Sequence, residues 1–195
     1  MNENGMITND MIEDFKKISE IKEKDEPFRG MMWYRARKLL EDGYKIEAYI
    51  LILATWNFAR FRYFMTKFDF QKFKGAIEKV QPIFDKLKNE TFKKADFDDR
   101  DLQNDIKNIY INLKSIVEQT GAAKIMALTN PNLFIMWDTN IRKKYKINNS
   151  ASPEDYIQFI TMMQNKFKHI EWNNDKKPFA KAIDEWNHRF LDKYF

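Results

Sequence analysis

Apolar residues in this chain recur at intervals of three and four, and no stretch sustains the two-residue alternation of a half-buried strand. Met11, Phe15, Ile18 and Ile21 fall on one helical face behind Thr8 or Asn9, either of which can cap a helix. Pro27 stands where a second helix can begin and Gly43 where it can end. Residues 44–67 read as one long buried helix, apolar nearly all round between Ala48 and Phe58. Further helices are predicted over 69–88, 101–119, 122–129, 139–145, 153–168 and 178–193, with Ser152 capping the one that starts at Pro153. The pattern predicts an all-α fold with short connections, a compact multi-helix domain over 1–195. A division into lobes 1–95 and 100–195 around a cleft would put the linker near 89–100. The carboxylates at 96–101 lack the glycine and terminal glutamate of a calcium loop and read as a helix start.

Composition narrows the class. Apolar residues are 44% of the 195 and aromatics 15%, enough for a sizeable core and too many for a disordered chain. The apolar run over 48–55 falls short of the roughly 18 residues that span a bilayer, so no membrane partner is expected. Cysteine is absent, which removes disulfides, thiolate catalysis, cysteine-ligated zinc and iron–sulfur clusters. No cofactor or metal is expected, and a cytoplasmic location fits. The net charge is +5, unevenly spread. Residues 1–26 hold four Lys against eight Asp+Glu, whereas 29–74 hold ten Lys+Arg against four Asp+Glu. A basic middle favours a polyanionic partner.

Two polar residues in apolar surroundings draw attention. Lys124 follows Thr120-Gly121-Ala122-Ala123 and is flanked by Ile125, Met126, Ala127 and Leu128. Thr120 reads as the cap of this helix, with free amides beside Gly121 able to bind phosphate. A lysine buried near a helix start is a candidate amine nucleophile. Asp138 follows Leu133-Phe134-Ile135-Met136-Trp137 and precedes Thr139, a favoured N-cap position whose amides keep a carboxylate ionised. Arg142, Lys143 and Lys144 then offer cations. Trp56 and Asn57 interrupt the apolar 44–67 helix, and Arg60 and Arg62 follow a turn later. Trp33, Tyr34, Arg35 and Arg37 interleave rings with cations, as single-strand or flipped-base binding would use. For each, an ordinary structural role stands beside the functional one: a surface lysine, a helix cap, a satisfied core amide, a helix interface.

The segment Met136-Trp137-Asp138-Thr139-Asn140-Ile141-Arg142 resembles the catalytic-aspartate motif of the helix-hairpin-helix DNA glycosylase superfamily, and Gly121-Ala122-Ala123-Lys124 is similar to the end of its hairpin and the lysine after it. Residues 50–57 are similar to its early apolar helix. The resemblance covers mainly 101–146. One glycine stands where the hairpin has two, Asn140 stands where many members have histidine, and the lysine–aspartate interval is shorter. With no cysteine, the resemblance is to branches without an iron–sulfur cluster. It implies a DNA-repair enzyme that flips a damaged base, from duplex or single-stranded DNA, and cleaves its N-glycosidic bond, with lyase activity where the lysine attacks. Lys124 and Asp138 would be catalytic. Thr120, Gly121, Asn57, Trp56, Arg60, Arg142, Lys143 and Trp137 would contact substrate or DNA. The alternatives are a non-catalytic nucleic-acid-binding module and a helical protein-interaction module, the latter docking through its acidic N-terminal segment. If the pair is catalytic, Lys124 and Asp138 must face one cleft.

Overall fold

A computed structural model describes residues 8–21, 23–56, 58–148 and 150–194, with side chains 23, 29 and 58–60 outside the description. The all-α expectation holds. Among the described residues the chain forms α1 (Asn9–Glu20), a single 3-10 turn (Glu23–Asp25), α2 (Phe28–Glu41), α3 (Lys45–Trp56), α4 (Phe58–Thr66) and α5 (Phe70–Lys86). It continues through α6 (Arg100–Thr129), α7 (Thr139–Lys144), α8 (Pro153–Phe167) and α9 (Phe179–Tyr194). None of these helices is long and apolar enough to cross a membrane.

Local chemistry sets most of the boundaries. Thr8 accepts from the Met11 N–H, Asp69 from those of Gln71 and Lys72, and Asp99 from that of Leu102. Ser152 and Asp155 form a reciprocal capping box at α8. Each cap satisfies amides that the first turn leaves without helical partners. The acidic run at 96–101 is therefore a helix start. Helix is described over Lys45–Trp56 (α3) and Phe58–Thr66 (α4) of the stretch predicted as one helix, and residue 57 between them lies outside the described residues.

α6 is the centre of the fold, packed by α2, α3, α5 and α8. Its break falls at Glu118 (φ 59°, ψ 176°), not at Thr120–Gly121 as expected. This backbone region is open to glycine and costs other residues about 1–3 kcal/mol. Beyond the break, every residue from Thr120 to Leu128 is buried. Gly121 belongs there for closeness, not for a turn: a Cβ would lie 2.8 Å from the Val117 Cβ and 3.1 Å from Leu53 of α3. The Trp137 indole N–H reaches the Gln119 carbonyl beside the break at 3.3 Å.

Between α5 and α6 the chain is irregular but well packed. Phe92, Ala95 and Phe97 are buried. The Phe92 N–H donates to the Asn132 carbonyl at 2.7 Å, and Gln164 of α8 donates to the carbonyls of Phe92 and Ala95 at 2.6 and 2.7 Å. After α6 and a turn, residues 134–137 run non-helical and buried through the core, with the Tyr156 hydroxyl donating to the Ile135 carbonyl at 2.9 Å.

Candidate active site

Lys124 and Asp138 line one cavity of 680 Å³. That volume lies within the 300–1,000 Å³ of ordinary small-molecule sites. α3 contributes Trp56, the segment after α6 Met136 and Trp137, the start of α2 Phe28 and Gly30, and α9 a charged face. Phe28 stands 63% exposed.

Lys124 is 5% exposed and is interior to the buried part of α6 rather than in its first turn. Its ammonium donates to the carbonyl of Trp56 on α3. Asp138 caps α7, its Oδ1 accepting the Ile141 N–H at 2.8 Å. Among the described residues no hydrogen bond engages its Oδ2.

The wall opposite is ionic. Lys177 donates to Glu26 at 3.0 Å and to Glu185 at 2.7 Å, all three nearly inaccessible. Lys181 pairs with Asp184 at 3.0 Å and Glu185 at 3.4 Å, and Arg189 reaches Glu26 at 3.2 Å. Gly30 makes room for this wall, since a Cβ would lie 2.6 Å from a Glu26 carboxylate oxygen. Burial holds the Asp184 carboxyl above its ordinary value despite Lys181. Burial also pushes Glu185 up, but Lys181 and Lys177 outweigh it, so its carboxyl lies below its ordinary value. For Lys181, burial works against the charge, and Asp184 and Glu185 overcome it and raise the ammonium. That ammonium sits 4.7 Å from the Trp56 ring centre and 5.6 Å from that of Trp33.

The remaining expected site residues divide. Trp56 and Trp137 line the cavity with the pair. Trp137 is also core: fully buried, with ring contacts to Tyr110, Tyr156 and Phe159. Thr120, Gly121 and Arg142 are buried, so none offers phosphate a free surface. Arg142 lies over the Trp137 ring at 5.3 Å and donates to Thr120 and Thr139 hydroxyls at 3.5 and 3.3 Å, pinning α7 to α6. Lys143 is exposed. Asn57 and the Arg60 side chain lie outside the described residues. Trp33 is buried, and Arg37 donates to the Leu128 carbonyl at 2.8 Å, so the proposed stacking cluster at 33–37 is mostly structural.

The ionic wall was missed from sequence. Its one signal is spacing: positions 181, 184, 185 and 188 share a helical face of α9, with Lys177 just before the helix. A separate groove of 1,160 Å³ runs between 144–146 and α8, with Lys166 in it. Burial lowers that amine to about 8. Among the described residues no cluster of three His, Cys, Asp or Glu could hold a metal ion. Comparison of the chain with protein-family models, curated proteins and solved structures gave no match.

Proposed function

We propose that this chain is a DNA base-excision glycosylase with lyase capacity, receiving an extruded damaged base in the 680 Å³ cavity. The observation that carries the reading is that Lys124 and Asp138, chosen from sequence, line that one cavity together with Trp56 and Trp137. In this scheme the Asp138 carboxylate steadies the positive charge that grows on the sugar as the glycosidic bond stretches. Lys124, freed from the Trp56 carbonyl and neutral, attacks the anomeric carbon. A carbon–nitrogen bond to lysine forms as the bond to the base breaks, and the base leaves with a proton. Ring opening then gives the Schiff base from which strand cleavage proceeds.

The second reading is a helical binding module without catalysis. It is favoured by the structural uses already found for both residues, a contact to the Trp56 carbonyl on α3 and a cap on α7, and by the burial of Thr120, Gly121 and Arg142.

Borohydride trapping on oligonucleotides bearing oxidised bases, duplex and single-stranded, separates the two. The expected result is a covalent adduct that disappears in Lys124→Ala and persists in Lys166→Ala. Asp138→Asn is the companion variant: asparagine retains the cap, so the fold survives while adduct formation slows about 100-fold or more. An adduct that survives Lys124→Ala in a folded variant ends the catalytic reading. Absence of salt-sensitive DNA binding at low ionic strength ends every nucleic-acid reading and leaves the protein-interaction module.

A further inference from the structure

Residues 58–75 hold seven aromatics, five Lys+Arg and a single acid, a net +4 in 18 positions. The structure folds this segment beside a groove of 460 Å³ between α4, the start of α5 and the α6 residues next to the Glu118 break. The groove has an aromatic base. Phe64 lies 5.0 Å from Phe68 and 5.9 Å from Phe73, and Phe68 lies 5.6 Å from Phe73, ring centre to ring centre. Phe73 is buried and anchors the set. Tyr63 on the groove wall is 78% exposed, and Phe70, outside the lining, is 47% exposed. Lys67 and Lys72 line the groove, as do the carboxylates of Asp69 and Glu118. Arg62 and Lys67 are exposed beside them, and Lys72 extends into solvent near its Asp69 partner at 3.6 Å. The Asp69 carboxylate is engaged by the Gln71 and Lys72 amides that it caps.

We propose that this groove seats a short single-stranded stretch of nucleic acid, bases against Tyr63 and Phe70, phosphates toward Arg62, Lys67 and Lys72. Exposed rings interleaved with cations are what sequence-tolerant single-strand binding requires, because every base has a stackable face and every link a negative charge. An anionic membrane would instead meet a convex apolar face. Here Phe61 and Phe64 turn into a recess, on rings packed against buried Phe73.

The groove and the cavity draw on the same two helices without a lining residue in common: α3 gives Leu53 to one and Trp56 to the other, and α6 gives Val117 to one and Lys124 to the other. A path between them belongs to the glycosylase reading. The groove as a binding site stands apart from it.

The test is fluorescence anisotropy with a labelled ten-residue oligothymidylate, undamaged, across a salt series. The expected result is binding whose affinity drops about 10-fold in Tyr63→Ala and again in Phe70→Ala. The log–log salt slope should fall by about 2 in a triple Glu variant at Arg62, Lys67 and Lys72. Both rings are exposed, so the folds should survive, which circular dichroism checks. Lys146→Glu, in the other groove, should bind like the parent. Affinities unchanged in the ring and charge variants overturn the proposal, as does binding to phosphatidylserine vesicles with none to the oligonucleotide. Oligonucleotide binding without borohydride trapping overturns the glycosylase reading alone. Trapping that survives with a groove indifferent to its variants overturns the groove alone.

Discussion

Lys181 on α9 and Lys166 on α8 are both withdrawn from water against tryptophan rings, and their amines move in opposite directions. Lys181 lies over Trp33 and Trp56 on the wall of the candidate active site, and Asp184 and Glu185 lift its ammonium above the ordinary value despite burial. Lys166 lies 5.0 Å from the Trp186 ring centre and 5.5 Å from that of Tyr145 in the larger groove, and burial lowers it to about 8. Ring faces are present at both, so they do not decide the charge. The carboxylates do. The chemical lesson concerns the nucleophile: an amine attacks only when neutral. Lys181 is held protonated and serves as wall, and Lys166 is nearer to neutral but outside the cavity. This is why the trapping experiment must tell Lys124 from Lys166.

The sharpest way to break the contrast is to remove the cation behind the wall. Lys177 sits between Glu26 and Glu185 at 3.0 and 2.7 Å, all nearly inaccessible. Lys177→Met leaves two carboxylates buried with less compensation, at a cost of about 3–5 kcal/mol in urea unfolding. The combined variant Lys177→Met, Glu185→Gln should recover most of that, since Lys181 then keeps Asp184, Arg189 keeps Glu26, and the wall stays neutral. A loss under about 1 kcal/mol in the single variant would show that water reaches the wall and that its charges are held by solvent.

Acid titration probes the same wall at smaller amplitude. The Glu185 carboxyl is lowered in the fold, so its contribution is present above the unfolded value near 4.5 and is lost as pH falls through the folded value. Asp184 is raised, so its burial cost is relieved as pH falls, an opposing slope one residue away. Glu185→Gln should therefore flatten the fall in stability below pH 4.5. An acid limb as steep as the parent's would assign it to other carboxylates.

What could be read beforehand follows the range of each interaction. Asp138, Asp99, Thr8 and Ser152 declare their roles within three residues, because a cap reaches its own first turn. The Glu118 break was invisible, since glutamate is an ordinary helix former. Gly121 drew the break to itself, yet its missing side chain serves the approach of Leu53, 68 positions earlier, a demand made only by packing. That Lys124 and Asp138 share a cavity was foreseen as a requirement and is met. That Glu26 would meet Lys177 was not legible, because 151 positions separate them and only the fold brings them together.

The smallest effect tests the other half of the contrast. In the unfolded chain the Lys166 amine keeps its ordinary value near 10.5, and in the fold it is about 8. Above 10.5 both states are neutral and burial costs nothing on this account. As pH falls from 10.5 toward 8 the unfolded chain takes up the proton first, so the fold loses stability. Below 8 the loss is constant. Stability should thus rise between pH 8 and 10.5, and Lys166→Met should remove that rise and stabilise the protein at pH 7. Solvent screening in the open groove and the lost ring contacts limit the gain to about 1 kcal/mol, or about 3 °C in Tm. Site-resolved acylation followed by mass spectrometry gives the independent reading: Lys166 should label with a midpoint near 8, while Lys181 stays unlabelled at that pH. Equal labelling of the two would mean that the carboxylates of α9 do not set the difference, and the ionic wall would lose its electrostatic role.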